Sequence, residues 1–208
     1  MTPQHIWAVV VARTGPTAKS RLRLVLSPSE RSALAQRMLT AVLHACNVAG
    51  LGGAIVVTED ERGARIARSS GALFLPDPRA GLNAAVALGL DVVAQQPPGT
   101  AALVLPGDIP LVEAEDLHAI IEAADDLPRV VVAVPDASGR GTNALLIRPP
   151  QLIVPAFGEP SFQRHLSQAR RRGTAIRLDL PRLSRDIDDP SHLEAWLASP
   201  QAAAPVPR

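Results

Sequence analysis

Arg13, Lys19 and Arg21 fall within nine positions of one another, interleaved with Thr14, Gly15, Thr17 and Ser20. A stretch of this kind can cradle phosphate through backbone N–H groups and cationic side chains, or it can be a solvated basic loop. It matches neither the G-x-x-x-x-G-K-[ST] loop nor the G-x-G-x-x-G dinucleotide turn. Lys19 is the single lysine beside twenty arginines. An ammonium is a compact point charge that suits an oxygen of a flexible phosphate, whereas guanidinium prefers planar two-point contacts.

The acids form two further groups. Asp108 sits in Leu105-Pro106-Gly107-Asp108-Ile109-Pro110-Leu111, between two prolines that stiffen the turn after an apolar run. Mg²⁺ commonly takes one or two carboxylates plus substrate phosphates; capping the turn is the other use for such an Asp. Downstream, Arg185-Asp186-Ile187-Asp188-Asp189-Pro190 places Asp186 and Asp188 on one side of an extended segment, with Asp189 as the expected N-cap of a helix. Acids this close repel unless a cation or solvent separates them. Paired with Asp108, they form a candidate two-carboxylate Mg²⁺ site.

Two glycine-rich polar stretches complete the chemistry-bearing residues: Gly139-Arg140-Gly141-Thr142-Asn143 and Phe157-Gly158-Glu159-Pro160-Ser161-Phe162. Ser161 stands at a helix start, where free N–H groups suit a carboxylate or phosphate; ordinary turns and a serine N-cap are the alternative. The five histidines show no H-x-x-x-H spacing, which argues against zinc. Arg170-Arg171-Arg172 reads as the basic last turn of a helix.

These residues have to be positioned by the elements between them. Residues 6–12 form a short apolar, β-branched run, as expected of a strand buried on both faces. Ser27-Pro28-Ser29-Glu30 opens a helix to about residue 48, with Ser at the N-cap, Pro first and Glu third. Strands are expected at 54–58, 72–75, 101–105, 130–135, 143–147 and 175–180. Helices are expected at 61–70, 83–95, 114–126, 161–172 and 190–198. The alternation implies an α/β fold: a Rossmann-like mixed, mostly parallel sheet with helices on both faces. Ligands in such folds bind at the carboxyl ends of the strands, where the strand order switches. The loops above follow those ends.

Composition bounds the rest. A chain of 208 residues, 47% hydrophobic, is enough for one domain, here 1–198, with 199–208 expected as a flexible C-terminal tail of Ala and Pro. Its net charge of +1 shows none of the basic excess of a nucleic-acid binder. No apolar run approaches the roughly 20 residues of a membrane span, and the N-terminus carries no secretory pattern. Cys46 is the only cysteine, so no internal disulfide can form. The expected location is cytoplasmic.

Taken in order, Ala18-Lys19-Ser20-Arg21-Leu22, Leu26-Ser27-Pro28-Ser29-Glu30-Arg31, Gly81-Leu82-Asn83-Ala84-Ala85, Leu105-Pro106-Gly107-Asp108-Ile109-Pro110-Leu111, Gly141-Thr142-Asn143-Ala144-Leu145-Leu146, Phe157-Gly158-Glu159-Pro160-Ser161-Phe162 with Arg164-His165-Leu166, and Asp186-Ile187-Asp188-Asp189-Pro190 resemble the guanylyltransferase family of deazaflavin coenzyme F-420 biosynthesis. The resemblance spans about residues 6–197. It implies a nucleotidyltransferase fold of the nucleotide-diphospho-sugar transferase, GT-A type. It also implies GTP as substrate, Mg²⁺ in two ions, and an acceptor that is 2-phospho-L-lactate, phosphoenolpyruvate or 3-phospho-D-glycerate. Carried over by position, Asp108 and Asp188 would be metal ligands with Asp186 assisting. Thr142, Gly158 and Ser161 would hold the acceptor's carboxylate and phosphate, Lys19 with Asp108 would carry catalysis, and Arg13, Lys19 and Asn83 would face the nucleotide.

The chain departs from the family pattern at Arg13, where Lys is common, in a first strand without its usual Pro, and at Pro160, which replaces a frequent Gly. Phosphoenolpyruvate is the default acceptor, with 3-phospho-D-glycerate left open by Pro160. Two other functions stay open: nucleotidyl transfer to a molybdopterin or sugar phosphate, and a nucleotide-binding regulatory module without turnover. The expected partners are small molecules, with handover of product to the next biosynthetic enzyme.

Overall fold

The computed structural model describes residues 2–125, 127–187 and 190–197. Its strands are β1 (Ile6–Val11), β2 (Gly53–Thr58), β3 (Leu73–Pro76), β4 (Ala101–Pro106), β5 (Val130–Pro135), β6 (Thr142–Arg148) and β7 (Thr174–Arg177). The helices are α1 (Pro28–Val48), α2 (Glu61–Ser69), α3 (Leu82–Val93), α4 (Ala114–Ala123), α5 (Ser161–Arg170) and α6 (Pro190–Leu197). α1 begins as its sequence dictates: the Ser27 hydroxyl accepts from the Glu30 backbone, and the Glu30 carboxylate accepts from the Ser27 backbone. The Ala198 and 199–208 tail expectations, like those for Asp188 and Asp189, fall outside the described residues.

All the strands join one sheet in the order β3-β2-β1-β4-β6-β5-β7. β6 runs antiparallel to β4 and β5, and the other pairings are parallel. Helices cover both faces, which explains why the central strands are apolar without alternation. Ile6, Ala8 and Val10 pack with Leu39, Val42 and Leu43 of α1 and Leu117 and Ile120 of α4. Val9, Ile55 and Val57 pack on the other side with Val86 and Leu90 of α3 and Phe162 and Leu166 of α5.

Three features of this frame determine the site. The strand order reverses between β1 and β4, so the loops that follow them diverge and leave a crevice at their carboxyl ends. The antiparallel β6 starts at that same edge, since its Leu145 lies opposite Val104 and its Thr142 end reaches past β4. A small separate cluster of Ala18, Leu22, Leu34, Met38, Ile187, Leu193 and Trp196 ties the loop after β1 to α1, α6 and the acidic segment.

The last strand corrects the sequence expectation. It ends at Arg177 rather than at residue 180, because the chain leaves the sheet to bury Leu183 and cross the start of β6. There the Leu183 carbonyl accepts from Asn143 Nδ2 at 3.0 Å. α3, α4 and α5 also stop two or three residues short of the expected ends. There the helical hydrogen bonds give way to turns, in which the N–H groups of Gln95, Asp125 and Arg171 donate to the carbonyls of Val92, Glu122 and Gln168.

Candidate active site

The loop after β1 folds into a short 3-10 turn at Ser20–Leu24, with Lys19 in the left-handed conformation just before it (φ 50°). Buried side chains hold it from beneath. Arg31 donates from Nε to the Ala18 carbonyl (3.1 Å), from Nη1 to the Leu26 carbonyl (2.9 Å) and from Nη2 to the Pro16 carbonyl (3.2 Å). The Ser32 hydroxyl donates to the Thr14 carbonyl at 2.6 Å. Asp60 caps α2 and also accepts from the backbone and hydroxyl of Thr14. Burial pushes the Asp60 carboxyl up, but the hydrogen bonds from Thr14, Gly63 and Thr58 outweigh it and hold its pKa below the ordinary value.

Arg31 yields a direct prediction. Arg31→Met keeps the aliphatic stem but leaves three loop carbonyls without their donor. Charge-assisted hydrogen bonds are each worth about 1.5–3 kcal/mol, and water can take over part of the two that are only partly buried, so a net loss of roughly 2–4 kcal/mol in denaturant unfolding is expected. Tryptic cleavage at Lys19, Arg21 or Arg23 should accelerate with it. Unchanged stability and cleavage would mean that the loop holds its own shape.

Above this support lies a cavity of about 450 Å³ lined by Arg13, Thr17, Lys19, Ser20, Arg21, Asp77, Leu82, Gly107 and Asp108. A Cβ on Gly107 would come within 2.7 Å of Ala12 Cβ. The glycine is what lets the turn after β4 lie against the turn after β1. The contact delivers Asp108 to Lys19: Nζ donates to Oδ2 at 2.7 Å, with the lysine side chain 7% exposed and the aspartate 33%. Arg13 stands at the mouth, largely exposed and 3.9 Å from Glu59.

A second cavity of about 260 Å³ adjoins the first, lined by Leu82, Val86, Val104, Asp108, Thr142, Asn143, Phe157, Gly158, Ser161 and Asp186. Val11, Leu82, Pro106 and Asp108 line both cavities, so Asp108 stands on the wall between them. Gly158 adopts φ +97°, a backbone state that favours glycine where the loop turns over the cavity. Thr142, Gly158 and Ser161 thus come together as expected. Ser161 is the first helical residue, after Pro160 at the N-cap. Its hydroxyl donates to Thr142 Oγ1 at 3.1 Å instead of capping the helix.

Sequence reading sets Asn83 toward the nucleotide. In the structure its amide donates to the Phe157 carbonyl (3.1 Å) and accepts from the Phe157 N–H (2.6 Å). Both polar ends of Asn83 therefore clamp the loop of the second cavity.

The acidic segment arrives at the same wall. Ile187 N–H donates to the Asp108 carbonyl at 3.4 Å, and Asp186 lines the second cavity with Asp108. Asp188 lies outside the described residues. Among the described residues no three of His, Cys, Asp and Glu form a metal-sized group. Two carboxylates on one cavity, one of them already balanced by an ammonium, nevertheless make an all-oxygen donor set that fits Mg²⁺ completed by phosphate oxygens.

Several residues around the site carry weight that sequence reading did not give them. Arg31 had a signal: a basic side chain in the first turn of a helix opposes the dipole, and helical side chains lean back over the preceding loop. Asn143 and Phe157 had none, because their hydrogen-bond partners are remote in sequence, and the N-cap signal of Asp60 did not extend to its hold on Thr14, 46 residues away. His165 is four residues after Ser161 and so on the same helix face. It is fully buried, and burial, helped by the Arg164 charge, lowers its pKa to about 4 from an ordinary 6.5.

That shift has a sign. Between about pH 6.5 and pH 4 the unfolded chain takes up a proton that folded His165 refuses, so stability falls as pH falls through this window. The expected loss from this residue is about 3 kcal/mol by pH 4. Denaturant unfolding from pH 7 to pH 4 should show this slope in the wild type and not in His165→Asn. An identical slope in both would remove His165 as its source.

Residues 7–199 match the family model described as guanylyl transferase CofC like. The chain is 40% identical over 195 residues to a phosphoenolpyruvate guanylyltransferase of Rubrobacter xylanophilus, covering 93% of this chain and 94% of that one. It is also 40% identical over 190 residues to a 3-phospho-D-glycerate guanylyltransferase of Phenylobacterium zucineum, covering 88% and 85%. Among solved structures, a protein from Desulfovibrio desulfuricans provisionally described as a nucleotide-diphospho-sugar transferase superposes with a TM-score of 0.73. That superposition covers 98% of this chain and 94% of the other at 13% identity, a likeness of fold alone.

Proposed function

This chain belongs to the CofC-like guanylyl transferase family, and on that premise we propose that it transfers GMP from GTP to the phosphate of phosphoenolpyruvate, releasing pyrophosphate. The observation that carries this reading is Asp108, a carboxylate on the wall shared by two cavities and held by the Lys19 ammonium at 2.7 Å. The larger, basic cavity takes GTP, with Arg13 and Lys19 toward its phosphates. The smaller one takes the three-carbon acid, with Thr142, Gly158 and Ser161 around its anionic groups. Asn83 acts on the acceptor loop through Phe157.

A phosphate oxygen of the acceptor bonds to the α-phosphorus of GTP while the bond from that phosphorus to the bridging oxygen of the β-phosphate breaks. A phosphate with a second pKa near ~6 is largely dianionic at neutral pH, so no general base is needed. The obstacle is mutual repulsion, roughly 4 kcal/mol for two unit charges ~4 Å apart at an effective dielectric of 20. Lys19 and Arg13 offset part of it, and fixing both substrates against one wall supplies the alignment. Mg²⁺, held by Asp108 with Asp186 and Asp188, would neutralise the phosphates where the two substrates meet.

The apolar side of the smaller cavity, Leu82, Val86, Val104 and Phe157, supports phosphoenolpyruvate over 3-phospho-D-glycerate. A methylene sits comfortably against hydrocarbon, whereas a hydroxyl there loses its hydrogen bonds. The test is a pyrophosphate-release assay with GTP, Mg²⁺ and each of phosphoenolpyruvate, 3-phospho-D-glycerate and 2-phospho-L-lactate. The expected order puts phosphoenolpyruvate first. Faster turnover of 3-phospho-D-glycerate would reassign the acceptor, and no pyrophosphate with any of the three would refute the transferase reading.

A further inference from the structure

His165 lies beneath the smaller cavity, and its hydrogen bonds have a direction. A backbone N–H can only donate, and the one on Ala156 points at His165 Nε2 at 3.0 Å. Nε2 must therefore present its lone pair. The ring is fully buried and packed edge-on against Phe157, with centroids 4.9 Å apart. Burial keeps it neutral, its pKa being lowered to about 4. A neutral ring with a bare Nε2 carries its proton on Nδ1. Nδ1 lies 3.1 Å from Thr142 Oγ1, so this N–H donates to the threonine. The Ser161 hydroxyl donates to the same oxygen, also at 3.1 Å.

Thr142 Oγ1 then has both lone pairs filled. Its own proton is the one hydrogen-bonding function left to it, and Thr142 lines the smaller cavity. We propose that His165 is a positioning residue: by donating from Nδ1 to Thr142, it fixes that hydroxyl as a donor into the cavity and so selects an anionic oxygen of the acceptor. This deepens the acceptor reading above and rests on it. A free threonine hydroxyl could turn either to donate or to accept. One locked as a donor favours carboxylate or phosphate and rejects a group that needs an acceptor there.

The tautomer can be read in the wild-type enzyme from imidazole ¹⁵N shifts, which should show Nδ1 protonated and Nε2 bare at pH 7. The reverse tautomer would overturn the inference without any variant. Substitution supplies the functional half. Asn at 165 can place its amide near Nδ1 and keep the donor to Thr142, whereas Gln reaches the Nε2 position and keeps only the Ala156 contact.

The KM for phosphoenolpyruvate should rise about tenfold in His165→Gln, consistent with one lost hydrogen bond of about 1.4 kcal/mol. The GTP KM should stay within twofold. His165→Asn should recover most of the loss, and Thr142→Val with His165→Gln should be no worse than Thr142→Val alone. Equal damage in Asn and Gln variants, or multiplying effects in the double variant, would reduce His165 to a packing residue. If Thr142→Val left the acceptor KM unchanged while turnover persisted, the acceptor placement itself would fall.

Discussion

Asp108→Asn should lower kcat by about 10³-fold or more while leaving the circular dichroism of the fold intact. The side chain stands on the wall between both cavities, which on the proposed reading is where the charges of the two substrates would meet. An amide of nearly the same shape cannot carry the negative charge that Asp108 would offer Mg²⁺ on the proposed reading. Losing one interaction that stabilises developing charge costs on the order of 10²–10³ in rate. Losing the ligand that organises a metal costs more, because the metal's other contacts go with it. Stability should fall as well, since Lys19 is 7% exposed and its ion pair with Asp108 is weakened. Burst measurements of pyrophosphate, with thermal unfolding alongside, separate the two effects. Wild-type turnover in Asp108→Asn would end the assignment of this residue to metal binding and chemistry.

Lys19→Ala should reduce kcat/KM for GTP by roughly 10²–10³-fold, equivalent to about 3–4 kcal/mol. Without substrate, the ammonium rests on Asp108. On the proposed reading, a triphosphate in the larger cavity would meet the same ammonium on a loop stapled in place by Arg31 and Asp60. Lys19→Arg should restore little. The guanidinium is bulkier, and the left-handed backbone at position 19 fixes the direction from which the side chain enters. The double variant Lys19→Ala with Asp108→Asn should lose less than the product of the single losses, because the residues interact directly. A GTP KM and kcat unchanged in Lys19→Ala would leave the loop after β1 as scaffold only.

The two largest effects fall on residues visible before any coordinates. Lys19 stands out as one lysine among arginines, and Asp108 as an acid between prolines after an apolar run. These are local signals, because a loop's composition and a strand's uninterrupted burial depend on neighbouring residues. The capping box that starts α1 is legible for the same reason: all its atoms come from residues 27–30.

Asn83 and His165 are different. Each holds a backbone or hydroxyl that its sequence position does not announce, and for Asn83 that partner is 74 residues away.

The order of residues alone accounts for the alternation of elements, the apolar strands buried on both faces, and the loops rich in basic and acidic groups. Periodicity and capping are short-range properties, and they survive in the order of residues alone. Only the packed layers set β6 antiparallel, which brings Thr142 to the same edge as Asp108. They also make the chain leave β7 early, so that Asp186 meets them both. Strand direction and crossing depend on how whole layers pack, and no local window of residues contains that information.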